Sequence, residues 1–508
     1  MERQADQYQS SNKMVSMDIW RCAYACHADK LHSSFAFDID TNIVCSSSRF
    51  RFSSTKFSVC LIKILIKKMK NSNFSALLLA GVLTAGMGMT SCSNEDEVIN
   101  SVDTRAARSI TVSGVINTNT TWNYDEVTLD GKVYVTGGAT LTIPAGTKII
   151  GKYNADPAQA SALVITRDGM IDARGTVSNP IVMTAESGHQ TPGGWGGLVI
   201  LGDAPINQSG AQSIEGITAD NLPAGVDITY GGSNANDNSG VIQYVRVEYA
   251  GANVSQDNEL NAFTFGGVGA GTTFDHCQAY YGEDDGFEFF GGTVNGKYLV
   301  STSTHDDAFD FDFGYRGKLQ FLVATVDASG DLFTKDPNGI ECDNDGDGST
   351  LTPFTHPTIS NLTVVGTTNG LVAGSANESI TNGLKSAANF RRNCQFTLVN
   401  SILYGYPTGI LCETSNSNVF KNNIVDGVSA NYSGITPDAT NLNREPENIG
   451  LANAWGDYKS LNDFRPETSP AIDHADFSML DSWFTETEYV GAVPSSGANW
   501  LYVGSWVR

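Results

Sequence analysis

Charge is scarce in this 508-residue chain, and positive charge is scarcer still. Charged residues make up 17% of it, and 55 are acidic against 31 basic. A surface of that sign repels phosphate backbones, which argues against nucleic acid as a partner. Cysteines are also few. Cys277, Cys342, Cys394 and Cys412 lack the paired close spacing of a zinc site and read as free core thiols. The marked apolar run, Ala76 to Met89, is about 14 residues long and too short to span a bilayer comfortably. What the chain does have is glycine, at 52 residues, which with low charge points to a turn-dense β fold. The length exceeds what one ordinary core uses. That leaves either several domains or one repeat that grows without thickening.

The first 68 residues follow no period and hold Cys22, Cys26, Cys45 and Cys60. They read as an upstream extension. Residues 69–91, directly after the basic Lys67 and Lys68, have the parts of a secretory signal: basic Lys70, the apolar run, then small residues. Met89-Thr-Ser-Cys92 resembles a bacterial lipobox, although Met89 stands where leucine is usual. The resemblance implies that Cys92 is lipidated, starts the mature chain and anchors it to a membrane. Residues 1–91 hold 11 basic and 6 acidic residues, leaving 20 and 49 beyond them and a net charge of −29. Residues 92–109, with Ser93-Asn-Glu-Asp-Glu97, read as a tether. This acidic stretch resembles the signal that sends Bacteroidetes lipoproteins to the outer face of the outer membrane; a plain solvated linker is the other reading.

A repeat organises the rest. Asn261-Ala-Phe-Thr-Phe265, Asp285-Gly-Phe-Glu-Phe289, Asp307-Ala-Phe-Asp-Phe311, Asn338-Gly-Ile-Glu-Cys342 and Asn369-Gly-Leu-Val-Ala373 share one pattern. Thr408-Gly-Ile-Leu-Cys412 follows it more loosely. A small residue is second, and apolar residues are third and fifth. A further strand precedes most copies, as in Lys297-Tyr-Leu-Val-Ser-Thr302. Short strands and turns at about 22 residues per copy make the coil of a parallel β-helix, with loops inserted in particular coils. The all-β helix is expected over 110–430, with its third- and fifth-position residues stacked inside. The first-position column reads as a turn ladder. Residues 431–508 lose the repeat and read as a cap closing the last coil.

The runs Thr140-Leu-Thr-Ile-Pro-Ala-Gly-Thr147, Asp284-Asp-Gly-Phe-Glu-Phe-Phe-Gly-Gly292 and Asp463-Phe-Arg-Pro-Glu-Thr-Ser-Pro-Ala471 resemble those of Bacteroidetes surface lipoproteins in the pectate-lyase-like superfamily. The resemblance covers nearly all of 110–508. It implies a right-handed, single-stranded parallel β-helix, and implies function only weakly.

The fourth position faces away from the apolar ladders. Up the coils it is Thr264, Glu288, Asp310, Glu341, Val372 and Leu411. Three carboxylates at about 5 Å repel by roughly 3 kcal/mol per neighbouring pair at an effective dielectric near 20. A bound cation, a raised pKa or solvation relieves that. Glu288, Asp310 and Glu341, near Asp284, Asp306 and Asp312, form a candidate calcium site, with a solvated acidic face as the alternative. Asp343-Asn-Asp-Gly-Asp-Gly348 copies the first half of a calcium loop but has Phe354 where a glutamate belongs. Asp343, Asp345 and Asp347 are the ligands expected there, unless this is a plain polar loop.

Two functions follow. A lipid-anchored cell-surface protein, expected to be a monomer, would bind glycans or other partners, with Tyr280, Tyr281, Trp195 or Tyr315 stacking on sugars. A carbohydrate-active enzyme would use Glu288, Asp310 and Glu341 as an acid/base or nucleophile pair, or Arg316, Lys318 or Lys335 as a lyase base. The acidic charge disfavours a uronate polymer unless calcium bridges it.

Overall fold

The computed structural model describes residues 108–219, 222–255, 258–327, 337–367, 383–416, 418–443, 451, 463–467 and 471–508. The expectations on residues 1–107, Lys335 and 369–373 lie outside these. Among the described residues no helix is long and apolar enough to cross a membrane.

Each coil gives one short strand to each of three faces, and the strands within a face pair in parallel. The first face carries Thr140–Ile143, Met170–Arg174 and the start of Gly240–Glu248. The second carries Lys148–Gly151, Ile181–Ala185 and the end of Gly240–Glu248. The third runs from Ala162–Ile165 and Gly197–Leu201 through Phe263–Gly266, Phe287–Phe290, Phe309–Asp312 and Glu341–Cys342. This is the parallel β-helix that the repeat predicts. Pairing continues to Ala430–Ser433 and Leu442–Asn443, past the expected boundary at 430.

Register explains the repeat. Phe263, Phe287 and Phe309 stack with ring centroids 4.9 and 5.2 Å apart. Phe265, Phe289 and Phe311 stack at 5.0 and 5.3 Å. All six are fully buried. The spacing is that of hydrogen-bonded strands, so each ring covers the next with no gap. The second position is small because nothing larger fits: a Cβ on Gly286 would lie 2.7 Å from the Ala308 carbonyl. The first-position ladder is also present. Asn261, Asp285, Asp307 and Asn338 each accept, through Oδ1, the backbone N–H of Asp285, Asp307, Asn338 and Ser386 on the next coil.

One rung differs from the sequence expectation. Below Glu341 and Cys342 lie Asn389 and Phe390, which in turn pair with Leu411 and Cys412. The rung is Ser386–Phe390, not 369–373. Its small, small, apolar, polar, apolar order meets the packing demand, but an insertion puts it 48 residues after Asn338 and hides it from any period. Cys277, Cys342, Cys394 and Cys412 are buried and unpaired, as expected.

Between the first and second faces the chain turns on single residues in the left-handed region: Tyr244, His276, Tyr298, Phe321, Asn361, Asn400 and Asn422. Bulky residues resist that conformation, so something must hold them there. The aromatic ones stack, at 4.4, 4.3 and 5.0 Å from Tyr244 to Phe321. The asparagines donate to carbonyls of the C-terminal segment: Asn422 to His474, Asn400 to Asp476, and Asn361 to Tyr489 and Gly491. That segment, expected as a cap on the last coil, instead runs back along this corner. Trp506 edges onto Tyr244 and His276, Ser505 N–H reaches Val177, and Arg508 pairs with Glu248. It covers an outer apolar strip of Val300, Val323, Val365, Ile402 and Ile424 with Val490, Ala492, Leu501 and Trp506. The strip leaves it no freedom to sit at the end: burying it requires a strap along the flank.

Because the phenylalanine stack is closed on all sides, Phe287→Ala is expected to cost about 3–5 kcal/mol. Urea unfolding followed by circular dichroism measures this.

Candidate functional site

Outside the third face lies a pocket of about 230 Å³. Its floor is the fourth-position column, Glu288, Asp310 and Glu341, in register on successive coils. Its side is the corner between the second and third faces, with Asp285 and Asp307 from the turn ladder and Asp284 and Asp306 beside them. Its wall comes from insertions. Residues between Leu201 and Gly240 pack Ile206, Ile214, Ile217 and Ile228 onto the outer apolar side of the third face, and this packing carries Glu215 to the pocket. Glu259 adds another carboxylate.

The oxygens converge. One oxygen each from Asp285, Glu288 and Asp310 lies within 4.8 Å of the others, and the same holds for Asp307, Asp310 and Glu341. Asp310 belongs to both groups, and its Oδ1 is buried with no hydrogen-bond partner. The others are partly satisfied. Asn261 donates to Glu288. Asn338 donates to Asp307 at 2.9 Å and to Glu341 at 3.2 Å. Arg391 donates to Glu341 and, at 3.0 Å, to Asp343.

Burial, then neighbouring charge, disfavours ionisation here. Desolvation first, and then Glu215 and Asp310, hold the Glu288 carboxyl well above the usual range. Burial and Glu341 do the same to Asp310. Asp285 and Asp307 are raised by burial and by the carboxylates beside them. Burial pushes Glu341 up to about 7, although the Arg391 guanidinium pulls the other way. A pocket of this kind takes up positive charge, as protons or as a cation. Each group brings three hard oxygens together, the donor type that a divalent ion such as calcium takes.

The structure therefore unites Glu288, Asp310 and Glu341, but not on an open face: Glu288 is buried. It does not add the loop ligands. Asp343 is taken by Arg391 and Arg392, at 3.0 and 2.7 Å. Asp345 closes its own loop, accepting the N–H groups of Asp347 and Ser349 at 3.1 and 2.9 Å. Asp347 is exposed. The three serve a tight turn, and the missing twelfth-position glutamate has no substitute among the convergent oxygens of the described residues.

Other expectations are redirected too. Arg316 is exposed and donates to the Phe354 carbonyl, and Lys318 pairs with Asp481 on the strap. Neither lines the pocket. Trp195 and Tyr315 are fully buried, with polar atoms bonded to the carbonyls of Glu248 and Val294, so they are packing residues. Tyr280 lies under the Arg508 guanidinium, and the Tyr281 hydroxyl donates to Asp327. Sequence reading missed Arg391, Asn389, Glu215 and Glu259 as site residues. The last two sit in insertions without a period. Asn389 and Arg391 follow from the rung at 386–390 once its register is known.

Fold and pocket together define a three-faced parallel β-helix with an acidic pocket on one face. The profile of the family described as "Pectate-lyase like beta helix domain" matches residues 114–455, and the chain belongs to that family. No curated protein and no solved structure matches the chain.

The raised carboxyls give the pocket a defined pH dependence. Their folded pKa values lie above the unfolded ones, so their contribution is full below about pH 4.5 and is lost as pH rises through the folded values. For Glu341 the window closes near pH 7, a loss on the order of 3 kcal/mol. In chelator, the melting temperature is expected to fall from pH 5 to pH 8, and Glu341→Gln to flatten that fall.

Proposed function

We propose that this chain is an exported surface protein, lipid-anchored at Cys92 in the outer membrane, that binds glycans at the acidic pocket with calcium as the counter-charge. One observation carries the reading: Asp310 Oδ1, buried and unpartnered where two groups of convergent oxygens meet. An unpaired buried carboxylate is costly, and a cation there removes both the desolvation and the repulsion. Calcium held by one of the two convergent groups, Asp285, Glu288 and Asp310 or Asp307, Asp310 and Glu341, keeps open positions toward the pocket, and sugar hydroxyls are the oxygen ligands that fill them. The signal-like run before Cys92 and the acidic composition support export to a surface.

Calcium is expected to raise the melting temperature and chelator to lower it. Asp310→Asn is expected to abolish that response while leaving the calcium-free protein at least as stable, because it removes a repulsive charge. A calcium-insensitive wild type would remove the site. Radiolabelled palmitate incorporated by the wild type and absent from Cys92→Ser tests the anchor.

A second reading has its own support. Glu341, with a carboxyl near 7, lies beside Asp307 and Asp310 and has the acidity of a general acid at neutral pH. That would make the pocket a carbohydrate-active site. Incubation with a panel of plant and host polysaccharides separates the readings: new reducing ends or unsaturated products, lost in Glu341→Gln, show catalysis. Retained binding without product supports the binding protein.

A further inference from the structure

Among the described residues four cysteines are buried and free, but their surroundings differ. Cys277 donates to the Ile242 and Asp275 carbonyls at 3.7 and 3.5 Å, and Cys412 to the Thr414 carbonyl at 3.6 Å. The Cys342 and Cys394 thiols instead face each other. Both residues are fully buried in the core. The backbone brings them together. Arg391 N–H donates to the Cys342 carbonyl at 3.0 Å, and Cys394 N–H to the Arg391 carbonyl at 3.1 Å. A tight turn after Phe390 thus folds Cys394 back beside Cys342. Phe390 and Phe396, on either side of the turn, stack at 3.5 Å and hold its ends together.

This turn is strained and is reached across a long insertion. Arg392 and Asn393 are both left-handed, at φ 47° and 64°, a conformation that is costly for a non-glycine residue. The rung before the turn, Ser386–Phe390, follows the insertion that separates it from Asn338. A bond from Cys342 to Cys394 spans that whole insertion. A cross-link that closes a long loop restricts the unfolded chain most, and so stabilises the folded one. It also ties down the turn that carries Arg391, which lines the acidic pocket.

Resting on the export reading above, we propose that Cys342 and Cys394 form a disulfide in the exported chain, stapling the rung at 386–390 to the coil before it. Exported chains fold where thiols are oxidised. The Cys342 thiolate attacks the disulfide of a thiol–disulfide oxidoreductase and releases one thiol, leaving a mixed disulfide. The Cys394 thiolate then attacks the Cys342 sulfur and releases the second. The two protein thiols lose two protons and two electrons, and the oxidant's disulfide is reduced to two thiols. Burial pushes the Cys342 thiol up, so its thiolate is available only before the core closes. The bond therefore forms during folding. Cys277 and Cys412, each turned onto a carbonyl, stay reduced.

The test is peptide mapping of the full-length chain purified from exporting cells, denatured and alkylated without reduction. Mass spectrometry is expected to find the Cys342 and Cys394 peptides joined, two hydrogens lighter than the separate pair, with Cys277 and Cys412 alkylated. Dithiothreitol is expected to lower the melting temperature by a few degrees and to leave that of Cys394→Ala unmoved. Alkylation of all four cysteines in the exported chain overturns the proposal, as does a link between Cys394 and Cys412. A chain retained in the cytosol with free thiols refutes the export reading instead. Refolding the reduced, denatured chain in a glutathione redox buffer then decides the pairing: a Cys342–Cys394 link upholds it, and any other link or none refutes it.

Discussion

In-register parallel stacking puts every side chain about one strand spacing from its equivalents on the coils above and below. The consequence has opposite signs inside and outside. Inside, Phe263, Phe287 and Phe309 gain continuous ring contact from the spacing. Outside, the same spacing forces Glu288, Asp310 and Glu341 into a column of like charge. The core cannot relax that column without losing its own register, because adjacent positions on one strand are rigidly coupled. The acidic pocket is thus the outer face of a well-packed core. Its unfavourable electrostatics are supported by burial of the phenylalanines one residue away on either side.

Like charges in a column would ordinarily point into water. Here the inserted segments prevent it. The segment between Leu201 and Gly240 packs apolar side chains on the outer surface of the third face and encloses Glu288. Desolvation is the leading cause of every raised carboxyl in the pocket, ahead of the neighbouring charges. The solenoid supplies the spacing of the carboxylates, and the insertions supply the low-dielectric surroundings that make them reactive to protons and cations.

This division explains what was legible beforehand. Features that repeat at the coil period were visible: the Phe263 and Phe265 columns, the turn ladder of Asn261, Asp285 and Asp307, the small second position, and the site carboxylates Asp284, Glu288, Asp306, Asp310 and Glu341. Features set by insertions were not. The rung at 386–390 follows an interruption, so periodicity pointed to 369–373 and placed Val372 where Asn389 stands. Arg391 was lost with it. Glu215 and Glu259 come from non-repeating segments whose placement depends on apolar packing across the third face. The calcium-like loop at Asp343 failed for a different reason: a motif fixes spacing in sequence, but Arg391 and Arg392 decide where Asp343 points.

The two flanks of the helix also divide the labour. The corner between the first and second faces turns on left-handed residues whose rings and amides need partners, and the C-terminal strap provides them through Trp506 and the carbonyls of His474, Asp476 and Tyr489. That corner is satisfied within the chain. The corner between the second and third faces satisfies its backbone through the ladder of Asp285 and Asp307, but leaves Asp310 Oδ1 and, one rung beyond Glu341, Asn389 Oδ1 without partners. Buried polar atoms are seldom left unmatched in a native fold. Asp310 and Asn389 stand on the same column of the third face, opposite a flank where Asn361, Asn400 and Asn422 are matched, so the acidic face carries an electrostatic demand that the strapped flank does not.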